Sequence, residues 1–116
     1  NAHGTGTKLN DVAETRGLKI AFGEYAYKIA ISSIKSMIGH QMGAASILEA
    51  ISTVLSLRHG VIPPTINHFT DDPELDARLN FTFSQAQYKT VNAALSNTFG
   101  FGGHNASVIV KKYTEA

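Results

Sequence analysis

The sequence predicts a layered fold of mixed helices and strands. Three observations carry that reading: a helix pattern over 11–22, a longer apolar helix over about 44–59, and two strand-like segments flanking a Gly-rich turn near the end. Residues 1–8 are rich in Gly and Thr and read as a loop. Asp11 and Glu14 have capping-box spacing, with Asp11 as N-cap and Glu14 three residues on. Leu18 and Phe22 then share a face, and Gly23 stops the helix. Tyr27 to Ser33 is short and apolar and reads as a buried strand. A polar, Gly-punctuated connection over 33–46 leads to the second helix. There Ala44, Ile47, Leu48, Ile51, Val54 and Leu55 form the apolar stripe, as far as His59 and the stop at Gly60. That helix is apolar nearly all round, so it reads as central, and Glu49 inside it needs a partner. Pro63-Pro64 opens a long polar connection over 65–90, which reads as wrapping a larger body. Val91–Ser96 and Ala106–Lys112 read as strands of a hairpin closed by the turn Asn97–Asn105.

Composition excludes several function classes. The chain has 116 residues, 43% of them hydrophobic, and a formal net charge of +1, so charge makes no case for nucleic acid or a membrane surface. No apolar run approaches the roughly 20 residues of a membrane span. Cysteine is absent, which removes disulfides, thiolate metal sites and a cysteine nucleophile within these residues. The five histidines form no His-x-x-x-His pair, against a zinc site. Neither GTGT nor GFGG completes a nucleotide-binding glycine pattern, and no G-x-S-x-G elbow occurs.

Three polar, Gly-rich segments join the apolar elements: His3-Gly4-Thr5-Gly6-Thr7, Lys35-Ser36-Met37-Ile38-Gly39-His40 and Phe99-Gly100-Phe101-Gly102-Gly103. Loops held by a rigid scaffold are where chemistry concentrates. His3 and His40 each sit beside a glycine, which allows close approach of a ligand, and two such imidazoles can donate to one oxygen. On the local sequence alone an ordinary loop histidine is the commoner reading of each. Lys35 reads as a solvated lysine or as a group that tunes a neighbour. The two phenylalanines between glycines fit either a mobile flap or a tight hairpin packed into the core.

Together the stretches NAHGTGT, SSIKSMIGHQMGAAS, IPPTIN and SNTFGFGGHNAS resemble, in order and spacing, the elongating β-ketoacyl-acyl-carrier-protein synthases of the synthase II kind. The resemblance covers essentially the whole chain. It implies that residues 1–116 are a C-terminal β-ketoacyl synthase domain, a fragment of a longer chain. The implied fold is α/β: the C-terminal half of a thiolase-like αβαβα architecture with a mixed sheet.

The resemblance also implies roles. His3 and His40 resemble the histidines that bind and polarise the malonyl thioester. Lys35 resembles the lysine that tunes the site, and Glu14 the acidic residue linked to it. Thr5 and Thr7 resemble the threonines that hold the phosphopantetheine arm. Phe101 resembles the gating phenylalanine whose amide joins an oxyanion hole, with Phe99 beside it. Glu49, Ser96 and Asn97 resemble a structural cation site. The implied reaction is decarboxylative condensation of an acyl-enzyme with malonyl-acyl-carrier-protein, the cysteine nucleophile lying upstream. It needs no catalytic metal and no cofactor, because phosphopantetheine arrives on the carrier. The implied partners are acyl carrier protein, the N-terminal half of the same enzyme and, at full length, a second copy as a homodimer, with no nucleic acid or membrane. The implied compartment is the cytoplasm, or an organelle in a eukaryote. Two positions depart from the family pattern: Gly6 where Ser is usual between the threonines, and Ser46 where GAAG ends in Gly. Gly6 also occurs in polyketide ketosynthases, which leaves the substrate class open between fatty acid and polyketide synthesis, and a ketosynthase-like subunit without catalysis is a further alternative.

Overall fold

The computed structural model describes residues 1–113. Helix α1 spans Asn10–Phe22 and passes through a 3-10 turn, Gly23–Lys28, into the short strand β1, Ala30–Ile31. Of the buried strand expected over Tyr27–Ser33, only Ala30–Ile31 forms. Its apolar residues still serve the core, because Tyr27, Ile29 and Ile31 pack with Ala26, Leu79, Leu18 and Phe81. Helix α2 covers Lys35–Ile38. After a 3-10 turn at Met42–Ala44, helix α3 runs Ala45–His59. It ends at Gly60, whose left-handed φ of 67° lets its amide return to the Ser56 carbonyl.

The long connection is not structureless. Strand β2, Val61–Ile62, pairs antiparallel with β4, Gln87–Tyr88, while β3, Asn80–Phe81, pairs parallel with β1. Thr65 forms an isolated bridge with Phe83. Lys19, Tyr27 and Arg78 all bond to Asp76, which clamps the connection onto α1. These polar anchors compensate for the small apolar content of residues 65–90. The hairpin is longer than expected. Strand β5 is Ala93–Gly100 and β6 is His104–Lys111, paired antiparallel from Ala93↔Lys111 to Gly100↔His104. Asn97–Gly100, expected in the turn, therefore belong to the strand.

Helix α3 packs the other way round from the sequence expectation. Its buried face is Ala45, Glu49, Thr53 and Leu57. The stripe of Ile47, Leu48, Ile51, Val54 and Leu55 is exposed within this chain. Period-3.6 spacing favours the apolar stripe, but that face meets no element here. The polar face is buried with most of its groups paired: Glu49 Oε1 pairs with Lys35, and Thr53 donates to the Glu49 carbonyl at 2.7 Å. No helix among the described residues is long and apolar enough to cross a membrane.

Candidate active site

His3 lies in the loop before α1 and is buried. Its backbone is fixed by Glu14, which accepts from the amides of His3 (2.9 Å) and Gly4 (3.0 Å). The expected capping box is therefore absent. The residue before α1 is Leu9, with no side-chain cap, and Asp11 accepts from the Gly6 amide at 3.2 Å. Glu14 serves two donors of the preceding loop instead of its own helix, the amide of buried His3 and that of partly buried Gly4. Gly4 makes the loop possible. It holds φ +44°, and an added Cβ would stand 2.5 Å from the Ser33 Cβ. Gly4→Ala is expected to cost about 1–3 kcal/mol from overpacking and to displace His3. Comparing melting temperature and activity of the two full-length proteins checks this.

Lys35, at the start of α2, is buried with its ammonium between two partners. It forms an ion pair with Glu49 Oε1 and lies 3.3 Å from His3 Nδ1. The carboxylate paired with Lys35 is thus Glu49. Glu14, expected to be linked to Lys35, instead takes the loop amides and the Asn97 side chain. An ammonium can only donate, so His3 Nδ1 accepts and the ring proton sits on Nε2. His40, in the link between α2 and α3, accepts the Met42 amide at Nδ1, at 3.1 Å, which again leaves the proton on Nε2. The two rings meet edge to face, with centroids 5.6 Å apart and planes at 86°.

Burial pushes the His3 pKa below its ordinary 6.5, and the Lys35 ammonium adds to this, with Glu14 and Glu49 opposing. Folding therefore favours neutral His3. The unfolded chain takes up this proton as pH falls through 6.5, and the folded chain takes it up only at lower pH. The stability contributed is complete above pH 6.5 and is lost as pH falls toward the folded pKa. The acid limb of the full-length enzyme's pH–rate profile is expected below 6.5 for this group. Lys35→Met should move that limb upward, because one of the lowering charges is gone.

Phe99 on β5 packs against His3, with ring centroids 5.3 Å apart. Phe101 is at the hairpin tip and 96% exposed, so it is Phe99 that touches the imidazole. Thr5 and Thr7 share a hydroxyl hydrogen bond of 2.9 Å on the exposed side of the loop. A cavity of about 930 Å³ is bordered by Gly4, Thr5, Lys35 and His40 on one side and by the connection at Asn67 and His68 on the other. His68, given no role by the sequence, stacks on Phe83 at 3.8 Å. Asn97 donates to Glu14 at 3.1 Å and accepts from Ser107 at 2.7 Å. It thereby ties the hairpin to the His3 loop, a pairing across 83 positions that local sequence does not reveal. Glu49 Oε2 is buried without a hydrogen-bond partner.

Two imidazoles that each keep the proton on Nε2 thus meet edge to face, with His40 at the cavity and His3 against Phe99 of β5. Residues 1–69 match the family model described as "Beta-ketoacyl synthase, C-terminal domain". The chain belongs to the β-ketoacyl synthase family. It is 50% identical over 113 residues to 3-oxoacyl-[acyl-carrier-protein] synthase 2 of Synechocystis sp., covering 97% of this chain and 27% of that protein. Among solved structures, a β-ketoacyl synthase from Burkholderia phymatum superimposes with a TM-score of 0.89 at 37% identity, over 98% of this chain and 27% of that one. A type II polyketide synthase acyl-carrier protein in complex with its ketosynthase bound to the hexaketide gives a TM-score of 0.92 at 32% identity, over 98% and 28%. The fold is that of thiolase-like ketosynthases, and the chain spans about a quarter of the length of these relatives.

Proposed function

We propose that the full-length enzyme carrying this chain condenses an acyl-enzyme with malonyl-acyl-carrier-protein. The acyl group passes from its carrier thiol to a cysteine thiolate outside residues 1–116, and the carrier thiol leaves. Malonyl-carrier releases carbon dioxide, and the electron pair of the broken bond moves into an enolate. The enolate carbon attacks the acyl-cysteine thioester, a β-ketoacyl-carrier forms, and the thiolate is expelled. His3 and His40 would donate to the enolate oxygen, Thr5 and Thr7 would hold the pantetheine arm, and the Phe101 amide would face the second oxyanion. The observation that carries the reading is the matched tautomer: each ring is held through Nδ1 and keeps its proton on Nε2, with the two rings edge to face and 5.6 Å apart.

Acyl carrier protein as partner is supported by the ketosynthase complex among the structural neighbours. The N-terminal part of the same enzyme and a homodimer complete the proposed assembly. Fatty acid elongation is supported by the synthase 2 relative. A polyketide-type substrate is supported by the ketosynthase bound to the hexaketide and by Gly6 between the threonines. Incubating the full-length protein with acyl-carrier and malonyl-carrier and weighing the carrier-bound product by mass spectrometry tests the reading. A β-ketoacyl product two carbons longer supports it, and product identity separates the two substrate classes. Intact substrates would favour the non-catalytic subunit.

The unpartnered Glu49 Oε2 also supports a structural cation held with Ser96 and Asn97. The melting temperature of the full-length protein should then rise with cation concentration, and Asn97→Ala should remove that dependence.

A further inference from the structure

The His3 imidazole has aromatic neighbours on two separate arms. His40 lies in the link that runs through Met42–Ala44 into α3, and Phe99 lies on β5. Among the described residues, one side-chain hydrogen bond joins α3 to β5, that between Ser46 Oγ and Thr98 Oγ1 at 2.9 Å. Ser46 is in the first turn of α3, directly after the His40 arm, and Thr98 immediately precedes Phe99. Strand alternation turns Asn97 and Phe99 toward Glu14 and His3, and it turns Thr98 toward α3. Within the His40 arm, Met42 holds a φ of +48°, which a side chain of its size adopts only when its surroundings impose it. The amide of this same residue donates to His40 Nδ1.

We propose that Ser46 and Thr98 form a latch between α3 and β5 that holds the His40 arm at the spacing the two-imidazole site needs. Ser46 is then a positioning residue, acting through Met42 and His40, and this assignment rests on the proposed condensation. Releasing the latch lets Met42 relax and withdraws the donor that keeps the His40 proton on Nε2. A hydroxyl pair open to solvent in this chain exchanges readily with water, so the latch is weak alone and yields during substrate entry.

The test uses Ser46→Ala, Thr98→Val and the double variant in the full-length enzyme. Each single change is expected to slow malonyl decarboxylation about two- to tenfold through kcat, with KM little changed. The double variant should be no slower than the worse single one, because both remove the same bond. Ser46→Thr should restore the rate, and amides 99–104 should exchange hydrogen faster in every variant lacking the bond. Additive losses, or rates and exchange equal to wild type, would overturn the latch. A wild-type enzyme that neither decarboxylates nor condenses would instead overturn the functional reading. Hydrogen exchange at 99–104 and in the His40 arm would still report the coupling between Ser46 and Thr98.

Discussion

His3→Ala in the full-length enzyme is expected to lower malonyl-carrier decarboxylation on the order of 100-fold or more, the usual cost of one preorganised oxyanion donor. Acyl transfer to the cysteine should be much less affected, since charge there develops on a different oxygen. The split follows from geometry. His3 Nε2 carries the ring proton because Lys35 occupies Nδ1, and His40 is wired the same way by the Met42 amide. Two donors that act on one oxygen form a unit, so adding His40→Ala should cost less than the product of the single effects. Single-turnover release of labelled carbon dioxide reads the first step, and acyl-enzyme mass reads the second. A His3→Ala enzyme that decarboxylates at the wild-type rate would remove His3 from this role. Equal losses in both steps would mean that the loop had collapsed instead.

What could be read from the sequence was whatever local pattern determines. The hairpin and the stop of α3 at Gly60 follow from turn residues and periodicity. The motifs around His3, His40 and Phe99 lie far apart in the chain, and the structure places their rings side by side. The failures share one cause, competition from distant groups. Asp11 and Glu14 have the spacing of a capping box, yet the amides of buried His3 and partly buried Gly4, without strand partners, claim the Glu14 carboxylate. The apolar stripe of α3 obeys helical spacing and still lies open in this chain, while the face holding Glu49 is buried. Burial there was decided by a lysine from α2, and periodicity carries no information about such a partner. Tyr27–Ser33 has strand-like composition, but only Ala30–Ile31 finds a ladder, because β3 offers just two residues to pair. Asn97 illustrates the same limit: its turn-like neighbours place it in a loop, whereas its side-chain amide joins Glu14 of α1 to Ser107 of β6.

The Lys35–Glu49 pair allows stability and chemistry to be separated. Its side chains are 5% and 1% exposed, so Lys35→Met leaves a buried carboxylate without its cation. Breaking such a pair from one side typically costs about 3–5 kcal/mol, whereas replacing both partners by apolar groups of similar volume is often neutral. Lys35→Met is thus expected to lower the melting temperature strongly, and Lys35→Met with Glu49→Leu to recover most of that loss. Activity should not follow. In both variants His3 Nδ1 loses its donor, the ring is free to carry its proton on either nitrogen, and the Nε2–H population aimed at the oxygen falls. The double variant should therefore be stable and slow, with decarboxylation depressed and acyl transfer less so, measured as kcat beside denaturant unfolding of the same full-length preparations. A double variant that regained both stability and rate would show that Lys35 only balances Glu49. In that case the His3 tautomer would have to be fixed by the substrate itself.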